Sequence, residues 1–398
     1  VTGWTLPLQM GVSVDEVTDP LASEQRSLLA KIDKVELPRG SVEGTGTVFA
    51  VSHKANASFQ LVNAALQAGA TVSLAQDPVK TTGGTETGAF LIGGISRTSL
   101  AELSNKFAVS AAAISAPGHT LPIKRARIGL YRPWAPSIDE GWTRWILENY
   151  GFEPNSIYNA DIRSANLRSR YDVIVLPDLS TKQLTDGFGV GVVPGHYAGG
   201  IGEDGIENLR EFARDGGTLI ALNRTANSLT PLMSLPVQNV IEGAKSDKFF
   251  CSGALLRVNL EHADLPVNYG VPDAPVVMFQ NGPAFQPSPG FNGAVLARFP
   301  KETDPLESGL LLHPKAIEGK AAALELVYGR GYVVLFGFKP QFRGQSHSTY
   351  KYLFNELYTF DHPPLPTEPA AAPGKPETST APPPAAKERK PPEDTLPE

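Results

Sequence analysis

Few side chains in this chain of 398 residues are of the kind that attack, ligate or abstract. Cys251 is the only cysteine, which excludes intrachain disulfides and thiolate-rich metal sites. It lies in the apolar run Phe249 to Leu256, and a lone cysteine in such company is normally a packing residue unless a base is tied to it. The histidines (His53, His119, His196, His262, His313, His347 and His362) are scattered. No two stand four apart, the spacing that turns two imidazoles to one metal on a helix, so no metal is expected in this chain. Gly187 to Gly191 resembles a phosphate loop, but Pro194 and Gly195 follow where a helix would have to start. That stretch, continuing through Tyr197 and Gly202, reads as a long mobile loop near a sheet edge.

The better candidates sit at the ends of strands. In open α/β sheets ligands collect beyond the carboxyl ends of the strands, which here means Arg132, Asp178, Asn223 with Arg224, and the stretch Lys339 to Arg343. An anion could be held there by Asn223, Arg224 and the first backbone N–H groups of the next helix, with help from Arg132, Asp178 and Arg343. Structural capping and surface ion pairing are the competing readings. Asn56-Ala57-Ser58 and Asn223-Arg224-Thr225 also spell glycan acceptors, a triplet frequent by chance.

The elements that must position these residues alternate between strand and helix. Thr47 to Val51, Thr71 to Ala75 and Ala89 to Ile92 are β-prone; Ala57 to Ala68 and Ser99 to Phe107 carry helical spacing. Asn56 or Ser58 can cap the first helix and Gly69 can end it. A turn-rich stretch from Ala116 to Pro122 precedes a fresh start at Arg127 to Tyr131. After it come a helix from Asp139 to Tyr150, whose Trp142 and Trp145 are expected to cover a sheet, and the apolar strand Val173 to Leu176. A helix from Ile206 to Arg214, strand Thr218 to Leu222 and a hairpin about Gly329 to Gly331 follow, and a last helix runs from Ser348 to Tyr358.

This pattern predicts an α/β protein with a doubly wound, mostly parallel sheet over 124–361, preceded by a smaller α/β unit over 44–123. Residues 1–43 read as a linker. Residues 362–398, dense in Pro, Ala, Lys and Glu, lack the apolar side chains to offset the entropy of ordering, which predicts a disordered tail. The net charge of -6 offers no field for a phosphate backbone, so no nucleic-acid partner is expected. No apolar run approaches the roughly 20 residues that span a bilayer as a helix.

Several long segments resemble a known family. VTGWTLPLQMGV, SHKANASFQLVNAAL, RPWAPSIDEGWTRWILENYGF, HYAGGIGEDGIENLREFARDGGTLIALN and GRGYVVLFGFKPQFRGQSHSTYKYLFNEL are similar to large bacterial zinc carboxypeptidase-like proteins of the carboxypeptidase A family. They look like the class I glutamine amidotransferase-like region that follows the peptidase domain. The resemblance implies that the chain, opening on Val1 in mid-motif, is a fragment whose upstream peptidase domain is its partner in cis. It implies an extracytoplasmic protein, with zinc in that missing domain and no cofactor in this chain. The family's His-x-x-Glu zinc motif has no match here, so no metal residue carries over. An amidotransferase-like fold places its nucleophile at the turn after the strand Thr218 to Leu222, where a helix N-terminus lowers a thiol's pKa. Asn223 stands there instead, and an amide cannot form an acyl intermediate.

Overall fold

The computed structural model describes residues 5–12, 15, 17–36, 38–115 and 118–361. The expected disordered tail, 362–398, lies outside the described residues. Within the expected linker, α1 (Thr5–Met10) packs with Gln9 buried, and β1 (Val42–Glu43) already belongs to a sheet.

The first sheet is built from β1, β2 (Val48–Val51), β3 (Thr71–Ala75), β4 (Phe90–Gly93), β5 (Ala111–Ala113) and β6 (Thr120–Ile123), in the order β1-β5-β2-β4-β3-β6. Only β1 and β5 run parallel. Helix α2 (Ala57–Gln67) buries Phe59 and Val62 against it, and α3 (Arg97–Phe107) is capped by the Ser96 hydroxyl, which accepts the N–H of Ser99. Asn56 precedes α2 without capping it, because its own backbone is already helical (φ −61°, ψ −33°) rather than extended; its Nδ2 donates to the His347 carbonyl at 2.8 Å.

The second sheet starts with β7 (Ile128–Tyr131), β8 (Pro154–Ile157), β9 (Val173–Leu176) and β10 (Thr218–Leu222). It continues through β11 (Gly293–Arg298), β12 (Ala321–Tyr328) and β13 (Gly331–Phe336). Strands β8-β7-β9-β10-β13 are parallel throughout, while β12 and β11 extend the sheet antiparallel. With α4 (Ile138–Asn149), α5 (Gly202–Arg214) and α6 (Arg224–Leu232) around it, the parallel half is doubly wound, its strands ordered second, first, third, fourth, fifth. Alternate residues feed two cores: Leu130, Val175, Ile220 and Val334 face one, Tyr131, Ile174, Leu219 and Val333 the other. The β12–β13 hairpin turns at Gly329, whose φ of 67° suits glycine and whose missing Cβ leaves room for the Arg214 backbone.

One expectation fails on α4. Trp142 and Trp145 do not cover the sheet; Trp145 is 50% exposed and stacks edge-on with Trp142 at 5.6 Å. Thr143, Ile146 and Leu147 make the buried face, because their spacing of three and four keeps them on one side of the helix.

The two sheets meet across α7 (Tyr350–Tyr358), every residue of which is buried. Phe354 packs on Phe59 of the first unit (ring centroids 5.1 Å), and Tyr352 on Phe336 of the second (5.7 Å). The Tyr358 hydroxyl donates to Asn63 at 2.9 Å. One continuous core therefore serves both sheets.

Candidate functional site

The carboxyl ends of the parallel strands carry a connected set of charges. Asp178 lies two residues beyond β9, Arg224 two beyond β10 and Lys339 three beyond β13, while Asp139 opens α4. Arg224 grips Asp178 with two prongs, Nε to Oδ1 at 2.8 Å and Nη2 to Oδ2 at 3.2 Å, and its backbone N–H donates to the same Oδ1 at 3.1 Å. Lys339 Nζ stands 2.8 Å from Asp178 Oδ2 and 3.1 Å from Asp139 Oδ2. Gln341 ties this corner to α4 through Thr143 Oγ1 at 2.6 Å.

Burial splits the two carboxyls. Desolvation opposes ionisation of Asp178, but the hydrogen bonds from Arg224 and Lys339 outweigh it and hold the group below the usual carboxylate range. Asp139 is pushed above that range, because burial there exceeds the pull of Lys339. The first N–H of α6, the place where an external anion would dock, is already occupied by the Asp178 carboxylate. The network thus supplies its own anion.

Asn223 occupies the strand-to-helix turn with φ 53° and ψ −117°, a conformation that costs an ordinary residue of order 1–3 kcal/mol. Its backbone N–H donates to the Phe336 carbonyl at 2.7 Å and its Nδ2 to the Gln280 carbonyl at 2.8 Å. Oδ1 is buried with no partner among the described residues, 2.7 Å from the point a Cβ on Gly282 would occupy. The absence of a side chain at Gly282 lets its loop close over the turn. Asn223 is fully buried, so the turn is sealed and its acceptor triplet is out of reach of a glycan.

The remaining strand-end residues lie apart from this network. Arg132 is exposed, its guanidinium 6.0 Å over the Tyr158 ring. Arg343, at a φ of 47°, stands 5.3 Å over Phe342 and borders a shallow shelf of about 620 Å³ with Ile138, Trp142 and Trp145. The structure therefore joins Asp178, Asn223 and Arg224 but does not turn Arg132 or Arg343 onto them. Asp139 was not legible as a member; only the fold brings it to Lys339, 200 residues away.

Cys251 is buried beside the Phe279 carbonyl, and burial raises its thiol to about 11. That is the environment of a packing residue. Gly187–Gly191 leads into a short 3₁₀ turn, Gly195–Tyr197, with Val190 exposed at its tip. Among the described residues no cluster of three or more His, Cys, Asp or Glu is arranged to hold a metal, and no helix is long and apolar enough to cross a membrane.

No known family model and no curated protein matches the chain. Among solved structures it is similar to a ThuA-like protein of Bacteroides uniformis, with 13% identity, a TM-score of 0.37 and 62% of this chain covering 95% of that one. A GMP synthase subunit from Thermoplasma acidophilum is similar at 11% identity and a TM-score of 0.37, with 58% of this chain covering 92% of that one. PurLQS of Thermotoga maritima is similar at 16% identity and a TM-score of 0.37, with 57% covering 98%. None of the three is a carboxypeptidase. The fold is α/β with a doubly wound, mostly parallel sheet, as its strand order and pairing establish.

Proposed function

We propose that this chain is a non-catalytic accessory region of an exported bacterial zinc metallocarboxypeptidase, with peptide hydrolysis carried by a domain upstream of Val1. The observation that carries the non-catalytic part is the sealed turn at Asn223. A buried amide stands where an amidotransferase-like fold needs a thiol, and neighbouring charges are spent on one another. The peptidase parent, its zinc and its export rest on the long segments resembling that family. In this reading the region works by packing against the peptidase domain and presenting it or its substrate. Zinc analysis and a carboxypeptidase assay on the isolated chain test the proposal: stoichiometric zinc with turnover overturns it. An upstream reading frame without a zinc-peptidase domain overturns the parent.

A second reading, a module binding a small anion or peptide carboxylate at the strand ends, is favoured by Arg132 and Arg343. Among the described residues neither has a carboxylate partner. Thermal-shift screening with carboxylates and short peptides, repeated on Arg343→Ala, checks it; no stabilisation across the panel rules it out.

A further inference from the structure

A different cavity, away from the strand ends, opens where the first unit, α1 and the start of α7 converge. It encloses about 790 Å³, within the range of about 300–1,000 Å³ usual for small-molecule clefts. Lys351, in the first turn of α7, lines it while being only 5% exposed. Among the described residues its ammonium has no hydrogen-bond or ion-pair partner. A buried, unpaired ammonium is expensive, and the low burial-driven proton affinity of Lys351, brought down to about 8, reflects that cost.

The other charged and titratable groups on the wall do not relieve it. Glu86 is spent on the His53 backbone N–H (2.8 Å), the Ser52 hydroxyl (3.1 Å) and Lys54 (4.0 Å). The His53 ring is buried against Gly88 and Asn355, and His347 stacks on Tyr350 at 5.0 Å. Asp273 is exposed at the margin. The N-terminal end of α7 adds partial positive charge beside Lys351. Asn56 on the same wall keeps its Oδ1 buried and without a hydrogen-bond partner among the described residues.

We infer that this cavity binds a small organic carboxylate through the Lys351 ammonium. One unpaired cation suits a monoanion, whereas the carboxylates of Glu86 and Asp273 disfavour a more highly charged phosphate. Binding completes the ion pair that the fold leaves open, and it draws a proton onto the amine near pH 8.

The test is calorimetric titration of acetate and propionate into the full chain near pH 8, in two buffers of unequal ionisation heat, with inorganic phosphate in parallel. The expected result is carboxylate binding with net proton uptake. Lys351→Met then weakens binding by about tenfold or more, the loss usual for one charged hydrogen bond, and abolishes the uptake. Lys351→Arg, which keeps the charge, binds without uptake. No carboxylate binding by the wild type, unchanged binding by Lys351→Met, or tighter binding of phosphate overturns the inference. Loss of binding in Arg343→Ala alone also overturns it and moves the ligand to the strand ends.

Discussion

Asn355 Oδ1 lies 2.8 Å from Nε2 of His53, joining the turn before α2 to the last helix. The Asn355 amide nitrogen donates to the Val267 and Tyr269 carbonyls, so its orientation is fixed and its oxygen must face the imidazole. Nδ1 of the same ring faces the Gly88 carbonyl at 2.6 Å. Two acceptors call for two N–H groups, which only the charged ring has, yet burial pushes His53 down to about 4. The neutral ring can serve one partner at a time. Stability is therefore expected to fall by roughly 3 kcal/mol as pH drops from the unfolded histidine value near 6.5 through about 4, because the unfolded chain binds the proton more readily. Urea denaturation across that window measures it, and His53→Gln should flatten the slope.

Removing Asp178 should be more damaging than removing Arg224. Asp178→Ala strands the buried Lys339 with Asp139 alone, and breaking such a pair costs about 3–5 kcal/mol. Arg224 is partly exposed and can be rehydrated, so Arg224→Met should cost less. The Asp178 contribution is present above the unfolded carboxyl value of 3.8 and disappears as pH falls through the lower folded value. Chemical denaturation of both variants, ranked, checks the order.

At Asn223 the backbone itself can be weighed. Asn223→Gly and Asn223→Ala both lose the bond to Gln280, but only glycine tolerates a φ of 53° with a ψ of −117°. Glycine should be the more stable of the two by about 1–2 kcal/mol, read as a shift in denaturation midpoint. Asn223→Cys should yield a buried thiol without glutaminase activity, assayed by ammonia release.

Glu356 is fully buried in α7, neither carboxyl oxygen has a partner among the described residues, and burial with the nearby Glu325 holds it far above the usual carboxyl range. The folded state keeps a proton that the unfolded state releases. Stability should therefore decline as pH rises from the unfolded value of 4.5 toward the folded one. Glu356→Gln should be more stable than the wild type at neutral and alkaline pH, with thermal melts at pH 7 and 9 as the measurement.

Much of the fold was legible because its strands and helices keep their periods. Thr71–Ala75, Val173–Leu176 and Thr218–Leu222 fall where apolar runs between turns put them, and Asn223 follows its strand as expected. The face of α4 was misread because tryptophan's size suggests burial, whereas Thr143, Ile146 and Leu147 decide which side packs. Of the ion network, Asp178, Arg224 and Lys339 were legible as strand-end residues, but their pairing, the part of Asp139 and the Lys351 cavity were not. Asp139 meets Lys339, and His53 meets Asn355, only through contacts 200 and 302 residues apart, and no local spacing records such a meeting.

The complete burial of α7 also sets a timetable. The residues that finish the core of the first sheet, Phe354 and Tyr358 against Phe59, are made only after all of that sheet's own strands have emerged from the ribosome. Until the final helix is released, the apolar face of α2 has no lid and its closing contacts must span nearly the whole described chain, the slowest kind of contact to form. A nascent chain stalled before Tyr350 should expose that face to chaperones or aggregation, whereas release of α7 should fold both units in one cooperative step.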